Sequence, residues 1–154
     1  MARISLTEMQ VNNILKSPKD ITEDINWITL GSWHKCELNV RNRLKVDLKL
    51  FINVNSKIPS LYSLSLILNN RYRIVGLDVN GSHTNKHTDT NKWKNKTHKH
   101  RWTDVCHESW AYTPTDVKTS TLKEAFNSFC KECNIDFKGE FRTLPGRQMT
   151  LFEV

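Results

Sequence analysis

At 154 residues, with 38% hydrophobic and 25% charged side chains, the chain has the composition of one globular domain, large enough for a core without disulfide or metal staples. No apolar run approaches the roughly 20 residues that a membrane span needs, and the start at Met1 lacks an apolar stretch ending in a small-residue cleavage site, so the expectation is a cytoplasmic chain with no membrane partner. The formal charge is +7, and residues 80–102 carry +5 of it, a local field that favours an acidic partner, either nucleic acid or an acidic protein face.

In chain order, Ser5 and Glu8 have capping-box spacing, and Leu6, Met9, Val11, Ile14 and Leu15 approximate a helical stripe that Pro18 stops. A helix is expected over residues 6–16. From Trp33 the period changes to two. Cys36, Leu38 and Val40 alternate with polar neighbours, and Leu44, Val46, Leu48, Leu50, Ile52 and Val54 read as one long half-buried strand. After Pro59, Tyr62, Leu64, Leu66 and Leu68 form another. Asn69 and Asn70 suit a tight turn, because Asn tolerates positive φ. A three-residue loop there would pair Leu68 with Tyr72 and Leu66 with Ile74 on the return strand, residues 72–79.

Residues 80–97 have no periodicity and almost no apolar side chains, so a polar basic loop is expected. A short strand follows over residues 98–103. After Ser120, Leu122, Ala125, Phe126, Phe129, Cys130 and Cys133 give the cleanest helical stripe in the chain. The tail is expected to be irregular, with a turn at Pro145 and an edge strand over residues 149–154. The expected architecture is a single α+β domain, residues 1–154: one antiparallel sheet of four to six strands with an N-terminal and a C-terminal helix packed on it.

Five of the six histidines lie between His83 and His107. His98 and His100, two apart in a strand, project from one face. They suit a metal site, an acid–base pair, or a solvated polar strand. Cys130 and Cys133 have the spacing of half a zinc site, but they sit on a helix's apolar stripe, so core packing is expected, with no metal and no cofactor. Trp93, flanked by Lys92 and Lys94, has no obvious core to join and reads as an exposed contact residue. Arg71 and Arg73 are expected on one strand face, where they suit an anion or protect an edge. Asp78, Asp104 and Glu108 read as isolated acids.

One set of residues carries a resemblance: Arg73, Gly76, Asp78, Asn80, Gly81, His83 and Asn85, then His98 and His100, then Cys133, Asn134 and Ile135. The pattern resembles a family of small, poorly characterised proteins of Gram-positive bacteria and their phages. Around Lys86 this chain departs from the family's Pro-Asp-Gly turn with a Lys- and Asn-rich insertion. The resemblance raises two functions. In the first, the chain is a phage-encoded, anti-CRISPR-like inhibitor that presses His83, Asn85, Lys86, Lys92, Trp93, Lys94, Lys96, His98, His100, Arg101 and Trp102 onto the acidic site of a host defence nuclease. In the second, it is a metal-independent toxin-type endoribonuclease in which His98 and His100 act as base and acid, with Arg101 or Arg73 stabilising the phosphorane.

Overall fold

The computed structural model describes residues 6–80, 97–104, 111–112 and 121–145. Along the chain lie α1 (Glu8–Lys16), β1 (Lys19–Ile21), β2 (Ile28–Leu30), β3 (Trp33–Asn42), β4 (Leu48–Asn55), β5 (Tyr62–Leu68) and β6 (Tyr72–Val79). After these come β7 (His98–Arg101), β8 (Ala111–Tyr112), α2 (Leu122–Glu132) and β9 (Ile135–Phe137). One sheet runs in the order β8-β7-β6-β5-β4-β3-β1-β9, with β2 paired beside it on β3, and it curls into a half-barrel.

This corrects the expected antiparallel sheet of four to six strands. The sheet is larger and mixed, because β1 and β9 pair in parallel, and α2 is followed by β9 rather than closing the fold. The added strands β1, β2, β8 and β9 are two or three residues long. So short a segment has no readable period, and a parallel pair drawn from opposite ends of the chain leaves no local mark.

Two further expectations shift for local reasons. The alternation read through residues 44–54 breaks at Lys45, which has φ of +55°. The Asn42 side chain donates to the Val40 and Val46 carbonyls and accepts from the Val46 amide, so residues 43–47 are a latched turn and β4 starts at Leu48. At α1 the capping box is built two residues later than expected. The Thr7 hydroxyl accepts from the Gln10 amide, and the Gln10 side chain accepts from the Thr7 amide.

The apolar face of the sheet carries Leu50, Ile52, Leu64, Leu66 and Leu77, and α2 adds Ala125, Phe126 and Phe129 to the same core. Cys130 and Cys133 are buried there, and burial pushes the Cys130 thiol up to about 12. These cysteines pack as small apolar side chains.

Among the described residues two lysines are buried, Lys19 at 4% and Lys99 at 0% exposure. Lys99, between His98 and His100, points to the opposite face from them, is 0% exposed, and forms an ion pair with Glu132 at the end of α2. Removing one member of a buried pair costs far more than the pair contributes, because it strands a desolvated charge. We therefore expect Glu132→Ala to lower the unfolding free energy by about 3 kcal/mol. Lys99→Met combined with Glu132→Leu should recover most of that loss. Urea denaturation of the single and double variants checks this, and a single-variant loss below about 1 kcal/mol would show that the pair does not tie α2 to β7.

Candidate functional site

The sheet face opposite Lys99 carries a polar cluster, and strand register explains how it assembles. Asp78 on β6 pairs directly with His98 on β7, and Gly76 pairs with His100, so both imidazoles lie on the side of the sheet that Asp78 occupies. Asp78 Oδ2 lies 2.6 Å from His100 Nε2 and 3.3 Å from His98 Nε2. The two rings meet edge to face with centroids 4.9 Å apart. His98 is 0% and His100 5% exposed.

Arg73 completes the cluster by an irregularity. It stands five residues before Asp78, and in a regular strand an odd spacing would send the two side chains to opposite faces. Between β5 and β6, however, the register shifts. Leu66 pairs with Val75 and Ile67 with Arg73, leaving Ile74 as the extra residue of a bulge. The three-residue turn and the Leu68–Tyr72 pairing stand as expected, but Leu66 does not meet Ile74. The bulge returns Arg73 to the face of Asp78. Its Nη2 donates to Asp78 Oδ1 at 2.8 Å, its Nη1 to Oδ2 at 3.3 Å, and its Nε to Ser65 Oγ at 2.8 Å.

The guanidinium reaches Asp78 by lying across the backbone of Gly76. A Cβ at position 76 would stand 2.2 Å from Arg73 Cζ. Glycine is needed here for close approach.

Burial by itself would raise the Asp78 carboxyl. Hydrogen bonds from His100 and His98, and then the Arg73 charge, overcome that and hold it well below the usual carboxylate range. Among the described residues, Asp78, His98 and His100 form a group whose His, Cys, Asp or Glu ligand atoms all lie within 4.8 Å of one another.

Of the residues singled out from sequence, His98, His100 and Arg73 come together. Arg101 does not: its Nη2 donates to Asn12 Oδ1 on α1 at 2.6 Å. Trp102, expected to offer contact area, is 5% exposed, packs edge-on against Tyr72 and donates to the Leu6 carbonyl. Arg71 lies in the turn and stacks over Tyr72 instead of sharing a strand face with Arg73. His83, Asn85, Lys86, Lys92, Trp93, Lys94 and Lys96 lie outside the described residues, as do residues 149–154.

Sequence reasoning placed Asp78 and Gly76 in the resemblance but gave neither a role in the site, and it passed over Ser65. The usable signal was that Asp78 is the one acid in the strand leading from the Asn69–Asn70 turn toward the His98/His100 strand.

A family model matches residues 6–135, a span that holds every member of this cluster. The chain belongs to the family of unknown function DUF6978. No curated protein and no solved structure matches it. The site of this DUF6978 protein therefore has to be read from its own geometry.

Two outcomes follow. Gly76→Ala should displace the Arg73 guanidinium and cost about 1–3 kcal/mol, and adding Arg73→Ala should then cost little more than Gly76→Ala alone. Thermal melts of the two single variants and the double variant check this, and additive losses would mean that the two residues act separately.

The second outcome concerns acid. The folded carboxyl of Asp78 lies below the unfolded value of about 3.9, so below about pH 4 the unfolded chain takes up a proton that the folded chain refuses. Stability contributed by Asp78 is present above pH 4 and is lost as pH falls below it. Denaturation midpoints between about pH 5 and pH 2.5 should therefore fall more steeply for wild type than for Asp78→Asn.

Proposed function

We propose that this protein is an RNA-cleaving enzyme of the cytoplasm, with Asp78, His98 and His100 as its working centre and Arg73 holding the carboxylate in place. One observation carries the proposal: two buried imidazoles and a partly buried carboxylate from neighbouring strands converge on one sheet face. A fold needs no such group for stability. Apolar side chains of similar volume would often fill that space at no greater cost, which supports reading the cluster of titratable groups as a site of chemistry. The substrate class follows from charge. Lys99 is committed to Glu132, but the rest of residues 80–102 still carries Lys86, Lys92, Lys94, Lys96 and Arg101 against Asp89 alone. A polyanion would be drawn to that segment of the chain.

A specific observation favours a second reading. His98 and His100 are 0% and 5% exposed, and in this state neither ring offers a surface to a polynucleotide. That suits a chain whose His cluster is scaffold and whose basic segment docks on an acidic protein, such as a phage-encoded inhibitor of a host defence nuclease.

Incubating the full chain with mixed-sequence RNA, with and without added divalent metal, separates the two. Enzyme action predicts cleavage that drops about 100-fold or more in His100→Ala. The control His34→Ala, whose ring is bonded to Thr29 away from the cluster, should cleave as wild type does. Wild-type RNA loss no greater than that of His100→Ala under every condition would sink the enzyme and leave the inhibitor.

A further inference from the structure

We infer that Asp78, His98 and His100 form a binding site for one divalent metal ion of the zinc class, through Asp78 Oδ2 and the Nε2 atoms of both imidazoles. The inference rests on the cluster being the working centre proposed above, but not on RNA being its substrate.

The geometry first argues against the imidazoles acting as a separate base and acid. To move protons on and off a phosphodiester, two such groups must stand on opposite sides of the reacting atom with room for it between them. Here both Nε2 atoms are turned to the same carboxylate oxygen, at 2.6 Å and 3.3 Å, with no such gap. Convergence of three donors on one point is what a cation requires. With bonds of about 2.0–2.1 Å, two donors of a tetrahedral zinc site stand about 3.3 Å apart. The His98–Asp78 separation already has that value, and the His100–Asp78 separation needs to open by less than about 1 Å.

The surrounding groups fit the same assignment. Arg73 holds Asp78 Oδ1 at 2.8 Å, fixing the carboxylate plane so that Oδ2 faces the imidazoles. Ser65, bonded to Arg73 Nε, and the missing side chain at Gly76 fix the arginine in turn. Such an outer shell orients metal ligands and tunes their basicity. Arg73 is thus a positioning residue. The cysteines Cys36, Cys130 and Cys133 are buried in the apolar core, so among the described residues the donor set is two nitrogens and one oxygen. Three protein ligands of that kind, with water or substrate in the remaining position, are the set that catalytic rather than structural zinc uses, and one that also suits non-haem iron. A water in that position would be acidified by the ion and would supply the nucleophile that neither imidazole is placed to generate.

The test is direct. Full-length protein, stripped with a chelator and dialysed, is titrated with Zn²⁺ and with Co²⁺, following heat and the visible Co²⁺ spectrum. We expect one equivalent per chain and a Co²⁺ spectrum of nitrogen and oxygen ligation without thiolate charge transfer. Asp78→Asn, which keeps the shape of the side chain, and His100→Ala should each weaken binding by more than the roughly 10–100-fold expected when an outer-shell partner such as Arg73 is replaced by Lys. His34→Ala should bind as wild type does. Circular dichroism checks that each variant is folded, and the wild-type and Arg73→Lys titrations keep the test decisive if His100→Ala is not.

No uptake by wild type, or uptake that Asp78→Asn leaves unchanged, would overturn the metal site. Stoichiometric uptake with no RNA cleavage would preserve the site and remove the nuclease. Cleavage that survives complete metal removal, together with no uptake by wild type, would do the reverse.

Discussion

The Asp78 carboxylate, largely but not wholly withdrawn from water on the polar face of the sheet, is the group around which this structure is arranged. A desolvated carboxylate is costly unless charge and hydrogen bonds surround it, and here three side chains meet that demand: His98, His100 and Arg73. Each imposes a condition on the backbone. The histidines require β7 to lie beside β6 in one register, since a slip of one residue would turn both rings to the other face. The arginine requires the bulge at Ile74 and a residue without a side chain at Gly76.

The strand that carries the histidines is held from several sides. Beneath it, Lys99 reaches Glu132 on α2. At its end Arg101 bonds to Asn12, and beyond it Trp102 bonds to the Leu6 carbonyl and the Asp104 amide to Glu8, so α1 and the residue before its cap clasp the segment that leaves β7. A four-residue strand with polar residues on both faces has little intrinsic tendency to stay put. The alternation of two imidazoles with one buried ammonium specifies its register, because only one setting gives all three a partner.

That arrangement bears on mechanism. Two imidazoles brought to a single oxygen are poorly placed to exchange protons across a substrate but well placed to share a cation. The dense outer shell of Arg73, Ser65 and Gly76 is easier to understand when the carboxylate must present one chosen oxygen. Membership of DUF6978 adds no chemistry of its own, since that family has no known function. It does place the whole cluster inside the matched region, so the same residues can be sought at the same positions in other members.

Both helices, the hairpin turn at Asn69 and Asn70, and the long strands β3 to β6 were legible in the amino-acid sequence, because amphipathic period and turn chemistry are local properties. So was the pairing of His98 with His100, which follows from their spacing of two. Tertiary structure alone decided the rest. The two- and three-residue strands owe their existence to neighbours far along the chain. Asp78 looked isolated because its partners arrive across a strand pair, 20 or more residues away. Arg73 joined it only through a bulge that reverses the expected face, and Trp102 and Lys99, polar-segment residues by sequence, went into the core. Periodicity reports which side chains share a face of one element. Which elements then face each other is set by register and packing over the whole sheet, and in this protein the candidate site exists only at that level.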